Sequence, residues 1–399
     1  MKILQICHRV PYPAVDGGNI AMMNMAISLQ RTGNEVHQFC LNTSRHFIEP
    51  SILPAELKEK LHQTTSYLDT RVKVVDAFLN LFTGQSYNMV RFFSLHVAND
   101  LTELLKKNQF DIIQLETLYC TPYLETIRKY SQAKIVLRSH NVEHIIWERL
   151  AVSEKNILKK NYLNLLARRL KKYELRTISA VDAIVPITMV DETIFKSLGY
   201  NGLLKSIPLG IDLSDYEKYS NIKSDMCLFH LGSMDWLPNR EGVEWFVKEC
   251  WSLIHHNVPE AKLYLAGRDF PKEISNANYP NVICKGLVED ANVFTSDKQI
   301  MIVPLLSGSG MRVKIIQGLA MGKTIISTTI GAEGIDVEHG KNILIANTPQ
   351  EFSSLIKKCF ENEHWCRQIG ENGKKLAIEK YSLECTGKEL TAFYLQLAG

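Results

Sequence analysis

Short runs rich in β-branched and other apolar residues alternate with helical stretches along the whole chain. This alternation is typical of α/β units built around parallel sheets. The runs predict strands at 2–7, 35–41, 71–75, 111–115, 134–139 and 182–187, and again at 227–232, 261–266, 281–285, 300–304, 324–328 and 342–346. Because the pattern restarts near residue 225, we predict two doubly wound α/β domains of similar size, with the carboxyl ends of their strands facing each other across a cleft.

The length of the chain agrees with two domains. Its 399 residues exceed what one hydrophobic core usually holds, because single cores stop growing near roughly 250 to 300 residues. Between the halves, the segment 205–225 contains Pro208, Gly210 and several Asp, Ser and Asn residues that favour turns. We therefore predict an N-terminal domain over 1–205 and a C-terminal domain over 206–381.

Charge and cysteine content exclude several classes of protein. The net charge of +3 is too small for a nucleic-acid partner, which needs a concentrated basic surface. The nine cysteines include no CxxC pair, which argues against a disulfide framework or a zinc site and favours a reducing cytoplasm. The apolar stretch after Lys2 predicts a first strand rather than a signal peptide, and no apolar run reaches the ~18 residues that a membrane-spanning helix needs.

The segment 147–178 has apolar residues at nearly helical spacing, which predicts a long amphipathic helix with a break near Ser153. Its other face carries the cations Lys159, Lys160, Arg168, Arg169, Lys171 and Lys172. These cations either form a solvated helix face, the interpretation that we favour, or attract an anionic membrane or a lipid-phosphate acceptor. Any membrane contact of this kind would be peripheral.

A glycine-rich loop between a strand and a helix is the strongest candidate for an anion site. The loop after strand 300–304 contains Ser307, Gly308, Ser309, Gly310 and Met311. It leads into a helix predicted over 311–321, which Gly322 ends. Free backbone N–H groups at a helix N-terminus attract anions, and glycines let the anion approach the backbone. Arg312 and Lys314 add charge suited to a diphosphate; the alternative is a glycine-rich turn with two solvated cations.

A second glycine pair follows the first predicted strand. Gly17 and Gly18 open a helix that ends at Gly33. Position after strand one is where an α/β domain places a substrate. The pair therefore forms either a ligand-binding loop or a plain tight turn.

Polar residues also follow two other strands of the N-terminal half. Strand 134–139 is followed by His140, Asn141 and Glu143, and Glu116 ends the neighbouring strand on the same rim. We expect His140 to bind a sugar hydroxyl or to move a proton, with a buried structural histidine as the alternative. Glu116 is expected to position an acceptor hydroxyl.

In the C-terminal half, the strand 227–232 ends in a second polar segment. Ser233 is suited to donate a hydrogen bond to a phosphate, and Asp235 to contact hydroxyl groups of the donor or the acceptor. Around Val288, backbone groups after the strand 281–285 are suited to bind the edge of a nucleobase.

Taken in order, these segments resemble the retaining GT-B glycosyltransferases of glycosyltransferase family 4. The resemblance covers essentially the whole chain and is strongest over 227–352, in GSMDWLPNREGVEWF, LYLAGR, GLVED, VPLLSGSGMRVKIIQGLAMGKTIISTTIGAEGI and HGKNILIANTPQEF. It implies two Rossmann-like domains, with a nucleotide-sugar donor held mainly by the C-terminal domain and a saccharide or lipid-linked acceptor held by the N-terminal one. It also implies that the C-terminal segment 382–399 is a helix that crosses back to the N-terminal domain.

The resemblance assigns roles to individual residues. The family's diphosphate-binding Arg and Lys match Arg312 and Lys314, and its active-site histidine matches His140, so these three are the predicted catalytic residues. The predicted donor-binding residues are Gly17, Gly18, Ser233, Asp235, Arg268, Val288, Gly308, Ser309, Gly310, Met311 and Gln317. The predicted acceptor-binding residues are Glu116, Asn141 and Glu143.

The chain departs from the family at two positions. Many members hold the donor sugar and the ribose with two glutamates eight residues apart, where this chain has Ser309 and Gln317. Gln317 can still bind a ribose hydroxyl through its amide, although without the strength of a charged acceptor. Backbone N–H groups of Gly310 and Met311 are expected to replace the first glutamate.

The function implied is transfer of a sugar with retention at the anomeric carbon, in the synthesis of a bacterial surface glycan in the cytoplasm or at the inner face of the membrane. Arg312, Lys314 and the helix N-terminus would stabilise the departing diphosphate, which would itself take the proton of the acceptor. No metal or other cofactor is expected, since these cations fill that role and no DxD motif stands out. The rival functions are a non-hydrolysing nucleotide-sugar epimerase and a catalytically silent subunit that binds a sugar nucleotide.

Overall fold

The computed structural model describes residues 1–14, 16–80, 82–219, 222–271, 274, 279–308 and 310–399. The chain folds into two compact units. One comprises Met1–Gly210 together with Leu383–Gly399, and the other comprises Ile211–Ser382. The boundary after Gly210 lies within the segment 205–225 that the sequence predicts as the linker.

The N-terminal unit is built on one parallel sheet. Its strands are β1 (Lys2–Cys7), β2 (Glu35–Thr43), β3 (Thr64–Leu68), β4 (Ile112–Glu116), β5 (Lys134–Ser139), β6 (Ala183–Pro186) and β7 (Leu203–Leu204). They lie in the order β3-β2-β1-β4-β5-β6-β7. The strand order reverses between β1 and β4, so the carboxyl ends of these two strands form the point where open α/β sheets bind ligands.

Helices cover both faces of this sheet. They are α1 (Gly17–Arg31), α2 (Ala55–Lys60), α3 (Val74–Asn80), α4 (Tyr87–Val90), α5 (Leu95–Lys107), α6 (Leu124–Tyr130), α7 (Glu143–Ser153), α8 (Ile157–Ile178) and α9 (Met189–Ser197), with 3₁₀ turns at Pro50–Ile52 and Leu118–Tyr123. Successive residues of a strand alternate between the faces. Leu4 and Ile113 accordingly pack in one core and Ile3 and Ile112 in the other.

The C-terminal unit repeats this architecture with six parallel strands. These are β8 (Asp225–Leu231), β9 (Leu263–Ala266), β10 (Val282–Gly286), β11 (Lys298–Val303), β12 (Thr324–Ser327) and β13 (Leu344–Ile345). Their order is β10-β9-β8-β11-β12-β13, which reverses between β8 and β11. The core contains Trp251 and Phe246 on the helices and Leu228 and Ile302 on these two strands.

The helices of this unit are α10 (Ser214–Glu217), α11 (Leu237–Trp245), α12 (Trp251–Asn257), α13 (Ala291–Ser296), α14 (Val313–Ala320), α15 (Pro349–Glu361) and α16 (Glu363–Tyr381), with a π-helical turn at Phe246–Cys250. Helix α14 is shorter than the predicted 311–321. Gly322, with a φ of +68°, follows it as expected for a residue that ends a helix.

The last helix, α17 (Leu383–Ala398), belongs to the N-terminal unit. It lies against α1 so closely that a Cβ on Gly387 would be 2.3 Å from the Ser28 carbonyl oxygen. Its Leu390 and Tyr394 enter the same core as Leu29 of α1. Glycine at 387 and the apolar face of α17 thus fix this helix to α1.

The predicted strand at 71–75 is wrong. The third strand is Thr64–Leu68, which pairs with β2, and α3 begins at Val74. Val72 and Val75 are 63% and 68% exposed, whereas Ser66 and Leu68 are buried. Val72 and Val75 therefore do not pack on a sheet face, and the less apolar segment beside β2 forms the strand instead. The short strand β7 was not predicted either.

Most of the other predicted strands, and the break in the long amphipathic segment, are confirmed. The remaining predicted strands coincide with observed ones within two residues at each end. The amphipathic segment 147–178 is interrupted between α7 and α8, and Asn156 caps α8 by accepting hydrogen bonds from the N–H groups of Leu158 and Lys159. None of the nine cysteines, all of which the structure describes, forms a disulfide. Within the described residues, no helix combines the length and the apolar character needed to cross a membrane.

Candidate functional site

Arg312 lies at the end of the glycine-rich loop, directly before α14. Only 6% of its surface is exposed. Its Nη1 donates a hydrogen bond to the Gly310 carbonyl at 2.6 Å, and its guanidinium lies 5.2 Å from the centre of the Trp236 ring. The alternative of a solvated cation is therefore wrong for this residue.

Glycines of the loop leave space for the arginine. Gly308 and Gly310 have φ angles of +114° and +80°, a region that glycine adopts without strain. A Cβ at position 308 would lie 2.7 Å from Nη2 of Arg312, so a larger residue would displace the guanidinium. Met311 is partly buried. The predicted donor-binding residue Ser309 lies outside the described residues.

Lys314, in the first turn of α14, reaches across to the end of β8. Its ammonium donates hydrogen bonds to the Leu231 carbonyl at 3.0 Å and to Oδ1 of Asn239 at 2.9 Å. Burial lowers the pKa of Lys314 to about 7, and the positive charge of Arg312 acts in the same direction. The ammonium is thus fixed at the reversal of strand order, between two partners that carry no charge.

His230 is the buried neighbour of this lysine. Its Nδ1 lies 2.9 Å from the Ile302 carbonyl, and because a carbonyl only accepts, Nδ1 carries the proton. Burial, followed by the charge of Lys314, lowers the pKa of His230 well below its usual value. The ring is therefore neutral, and its Nε2 is a buried acceptor without a hydrogen-bond partner among the described residues.

The other predicted donor residues of this unit lie along the same edge of the sheet. The segment after β8 lies beside the segment after β9, because the Met234 N–H donates a hydrogen bond to the Arg268 carbonyl at 2.9 Å. Asp235 and the Arg268 side chain are exposed, and Ser233 and Val288 are partly buried. The structure thus brings Ser233, Arg268 and Lys314 to neighbouring strand ends.

Gln317 contacts a residue that the sequence did not indicate. Burial raises the pKa of Tyr216 to about 12, and a hydrogen bond with the Gln317 side chain opposes that shift. Tyr216 is only 6% exposed, so Gln317 lies beside a largely buried side chain.

In the N-terminal unit, His140 and Glu116 form a close pair. The His140 Nε2 lies 2.7 Å from Oε2 of Glu116, whose carboxylate is 1% exposed while the His140 side chain is 11% exposed. The other carboxylate oxygen accepts hydrogen bonds from the amides of Gln5 and Gln114. Glu116 is therefore rigidly held, and it orients the imidazole at the reversal point between β1 and β4.

A second histidine lies beside this pair. The rings of His8 and His140 are 6.5 Å apart in an edge-to-face arrangement. Burial lowers the pKa of His8 to about 3, and the charges of His140 and Arg9 act in the same direction. His8 is therefore neutral at physiological pH, which leaves His140 as the more accessible imidazole of the two.

Glu143 and Asn141, the other two residues predicted to bind the acceptor, make hydrogen bonds within the N-terminal unit. Glu143 is 6% exposed and accepts a hydrogen bond from the Tyr119 hydroxyl at 2.9 Å. Burial, and then the charge of Glu174, raises the pKa of Glu143 to about 8. Asn141 accepts a hydrogen bond from the Ser139 hydroxyl through its backbone carbonyl, at 2.7 Å.

The glycine pair at 17 and 18 opens α1, as the sequence predicts. Asp16 caps the helix by accepting from the Asn19 N–H at 3.0 Å, and it also binds Nη2 of Arg9 at 2.5 Å. A Cβ on Gly18 would lie 2.5 Å from that same nitrogen. Glycine at 18 thus leaves room for the Arg9 guanidinium, a positive group at this loop that the sequence did not indicate.

The residues of these two sites that sequence reasoning missed include Arg9, Tyr216, His230 and Asn239. A signal for His230 was available, because it is a polar residue within the apolar run CLFHL, which ends directly before a Gly-Ser pair. Asn239 carried no such signal, since its contact with Lys314 joins positions far apart in the chain.

Among the described residues, the group with a geometry suited to a metal ion is Glu35, His37 and His62. Glu35 begins β2, at the end of the sheet opposite to the strand ends described above. Its carboxylate contacts His37 Nε2 at 2.7 Å and the Lys2 ammonium at 3.1 Å.

Comparison with known proteins gives matches over nearly the whole chain. A protein of Klebsiella pneumoniae, described as an uncharacterized 44.6 kDa protein in a cps region, is 25% identical over 397 residues, or 95% of this chain and 96% of the relative. Among solved structures, Anabaena HepE in complex with UDP has a TM-score of 0.67 at 14% identity and covers 99% of this chain and 100% of its own. Sucrose-phosphate synthase from Thermosynechococcus elongatus has a TM-score of 0.71 at 15% identity, with 100% and 99% covered.

These likenesses show the fold, which is GT-B with two Rossmann-like parallel-sheet domains. Models of two families match separate parts of the sequence. The one described as "Glycosyl transferases group 1" matches residues 226–362, and the one described as "Glycosyltransferase Family 4" matches residues 15–215, half of the chain. Because the fold and the family models for both halves all indicate a glycosyltransferase, and the Family 4 model matches half of the sequence, this chain belongs to Glycosyltransferase Family 4.

Proposed function

We propose that this glycosyltransferase moves a sugar from a nucleoside-diphosphate sugar to a saccharide or lipid-linked acceptor, with retention of the anomeric configuration. The observation that supports a nucleoside-diphosphate sugar as the donor is the pair of cations, Arg312 and Lys314, at the start of α14. The ammonium of Lys314 is bonded to a carbonyl and an amide, neither of which neutralises it. A diphosphate supplies the negative charge that this position favours.

The proposed reaction breaks the bond between the anomeric carbon and a diphosphate oxygen, and the electron pair stays on that oxygen. Arg312, Lys314 and the N–H groups of α14 stabilise the charge that develops there. The acceptor oxygen bonds to the anomeric carbon on the face that the diphosphate leaves, and its proton passes to the leaving diphosphate. We propose that no metal is needed, because the two side chains already supply the positive charge.

Two relatives support parts of this proposal. HepE has been solved with UDP and with UDP-glucose, which supports a nucleoside-diphosphate sugar as the donor. The Klebsiella relative is described by its place in a cps region, which supports a role in the synthesis of a surface glycan.

The experiment is an assay with a panel of labelled nucleoside-diphosphate sugars, chosen first by the rise in melting temperature that each ligand causes. Transfer predicts release of nucleoside diphosphate in the presence of an acceptor, unchanged activity in EDTA, and a product whose anomeric configuration by NMR equals that of the donor. An epimerase would change the sugar and keep its nucleotide attached, and a silent subunit would bind the donor without turnover. Either result would refute the proposed transfer.

We also propose that the N-terminal unit contacts an anionic membrane. Phe78 and Phe82, on and just after α3, are 59% and 77% exposed, and Val152 and Leu158, around the turn between α7 and α8, are 76% and 78% exposed. Helix α3 lies beside α8, since Arg169 donates to the Asn80 carbonyl at 2.9 Å. The turn also carries the exposed cations Lys155 and Lys159. Apolar side chains flanked by Lys suit an anionic lipid surface.

Flotation with vesicles tests this contact. The protein is expected to float with phosphatidylglycerol vesicles and less with phosphatidylcholine vesicles, and the double variant Phe78→Ser, Phe82→Ser should lose most of this binding. Ile378→Ser is the control, because Ile378 is also exposed but lies in the other unit. Equal flotation of the double variant and the wild type would contradict the contact.

A further inference from the structure

We propose that Asn239 is a positioning residue for Lys314, which holds the ammonium in place without neutralising it and leaves one N–H group for the ligand. This inference rests on the proposed function, because it assigns Lys314 to the binding of a diphosphate.

The contacts of Asn239 fix the orientation of its amide. The residue is 4% exposed, its Oδ1 accepts from the Lys314 ammonium at 2.9 Å, and its Nδ2 donates to the Ser233 carbonyl at 2.9 Å. The reversed amide would place its NH₂ group against the ammonium and its oxygen against the carbonyl, so that both contacts would be repulsive. One orientation of the amide is therefore favoured, and it ties α14 to the segment that follows β8.

The ammonium retains one free donor. A lysine carries three N–H groups, and in the part of the chain that the structure describes, two of them are used by Leu231 and Asn239. Gly232 keeps the space beside the ammonium open, because a Cβ there would lie 2.7 Å from the Lys314 Nζ and 3.0 Å from the His230 Nε2. Two fixed bonds orient the third N–H group, which is the one available to an incoming oxygen.

The partners of the ammonium preserve its charge. The titratable groups around it are His230 on β8, which is neutral, and Arg312 before α14, which is positive. Helix α11 contributes the neutral Asn239, while the nearby Glu241 accepts a hydrogen bond from the Ser307 hydroxyl at 3.1 Å. A carboxylate at position 239 would form an ion pair with Lys314 and offset the charge that is offered to a diphosphate.

The test compares Asn239→Asp and Asn239→Leu with the wild type. The Lys314 ammonium is titrated by NMR in protein labelled at lysine, with its signal assigned by its loss in Lys314→Met. Asn239→Asp is expected to raise the titration midpoint by about one to three pH units, to move the alkaline limb of kcat/KM upward by a similar amount, and to weaken binding of a nucleoside diphosphate. Asn239→Leu, which cannot hold the ammonium, is expected to lower kcat by roughly tenfold or more.

The matched control is Asn342→Asp. Asn342 is also buried in the C-terminal unit and accepts from the Glu338 N–H at 2.7 Å, but it does not contact Lys314, so the titration midpoint and the pH profile should not move. A wild-type midpoint in Asn239→Asp would overturn the inference whatever the activity, and so would a wild-type kcat in a folded Asn239→Leu. A shifted midpoint in a protein that turns over no donor would instead uphold the inference and refute the proposed transfer.

Discussion

Replacing Lys314 by Met is expected to lower the rate of sugar transfer by about 10²-fold or more, as removal of a leaving-group stabiliser does. The wild-type ammonium is held by the Leu231 carbonyl and the Asn239 amide, so it is in place before the donor binds. Methionine fills a similar volume without a charge. The measurement is kcat for release of nucleoside diphosphate in the presence of an acceptor, at saturating donor.

Lys323→Met is the control for this variant. The Lys323 side chain is buried and donates to the Ser224 hydroxyl at 3.0 Å and the Ser296 carbonyl at 2.7 Å. Burial lowers its pKa to about 8, so the two lysines are similar in environment. Lys323, however, precedes β12 at the opposite end of the strands. Equal losses of activity in both variants would show that a general disturbance of the unit, and not the position of Lys314, causes the effect.

The charge of Lys314 also gives the reaction a pH dependence with a defined sign. Since kcat/KM reports the free enzyme, a pKa of about 7 predicts that kcat/KM decreases as the pH rises above this value. A bound diphosphate favours the charged ammonium, so kcat is expected to begin its decrease at a higher pH than kcat/KM does. Lys314→Met should lack this limb. A limb that persists in the variant would belong to another group.

The same pKa predicts how pH changes stability. Between pH 7 and the ordinary lysine value of about 10.4, the unfolded chain binds more protons at this side chain than the folded one. The free energy of unfolding of the wild type should therefore rise with pH across this window, relative to Lys314→Met. Denaturant unfolding of both proteins at pH 7 and pH 9 measures this difference. A buried charge that lowers stability while serving the reaction is a frequent feature of active sites.

The fold was largely predictable because most strands of a parallel sheet are buried on both faces. Their sequences contain continuous apolar runs, such as IVL in β5 and IMIV in β11, and glycines mark the helix ends near 33 and 322. The prediction missed β3 because this strand lies at the edge of its sheet and is not buried on both faces. Three of the five residues of its segment TTSYL are polar, while RVKVV nearby contains three valines, so local composition favoured the wrong segment.

The candidate site was predictable where its residues are neighbours in sequence. Arg312 and Lys314 stand beside a glycine loop, and their positive charge alone indicates an anion site. The partners of Lys314 could not be predicted, because its hydrogen bonds to Leu231 and Asn239 join positions 83 and 75 residues apart in the chain. Such contacts depend on the strand order β8-β11, which a single sequence does not reveal.

His140→Ala is expected to lower kcat by about 10²- to 10⁴-fold, the range for loss of a group that moves a proton or holds a reacting hydroxyl. Glu116 fixes the imidazole at 2.7 Å, and its other oxygen is bonded by Gln5 and Gln114. Because these polar groups lie at the reversal point of the strand order, the pair is placed where a ligand binds in this class of sheet. The measurement is kcat together with the melting temperature, which should change little.

The chain provides its own control, since His144 and Glu174 form a second pair of the same kind at 2.6 Å. Both of these side chains are almost fully buried, and Glu174 also accepts from the N–H groups of Glu143 and His144 at 3.1 Å each, which caps α7. This pair stabilises the start of α7, so His144→Ala should lower the melting temperature and leave kcat of the folded protein nearly unchanged. A loss of stability without loss of kcat in His140→Ala would assign the same structural task to His140 and remove it from the reaction.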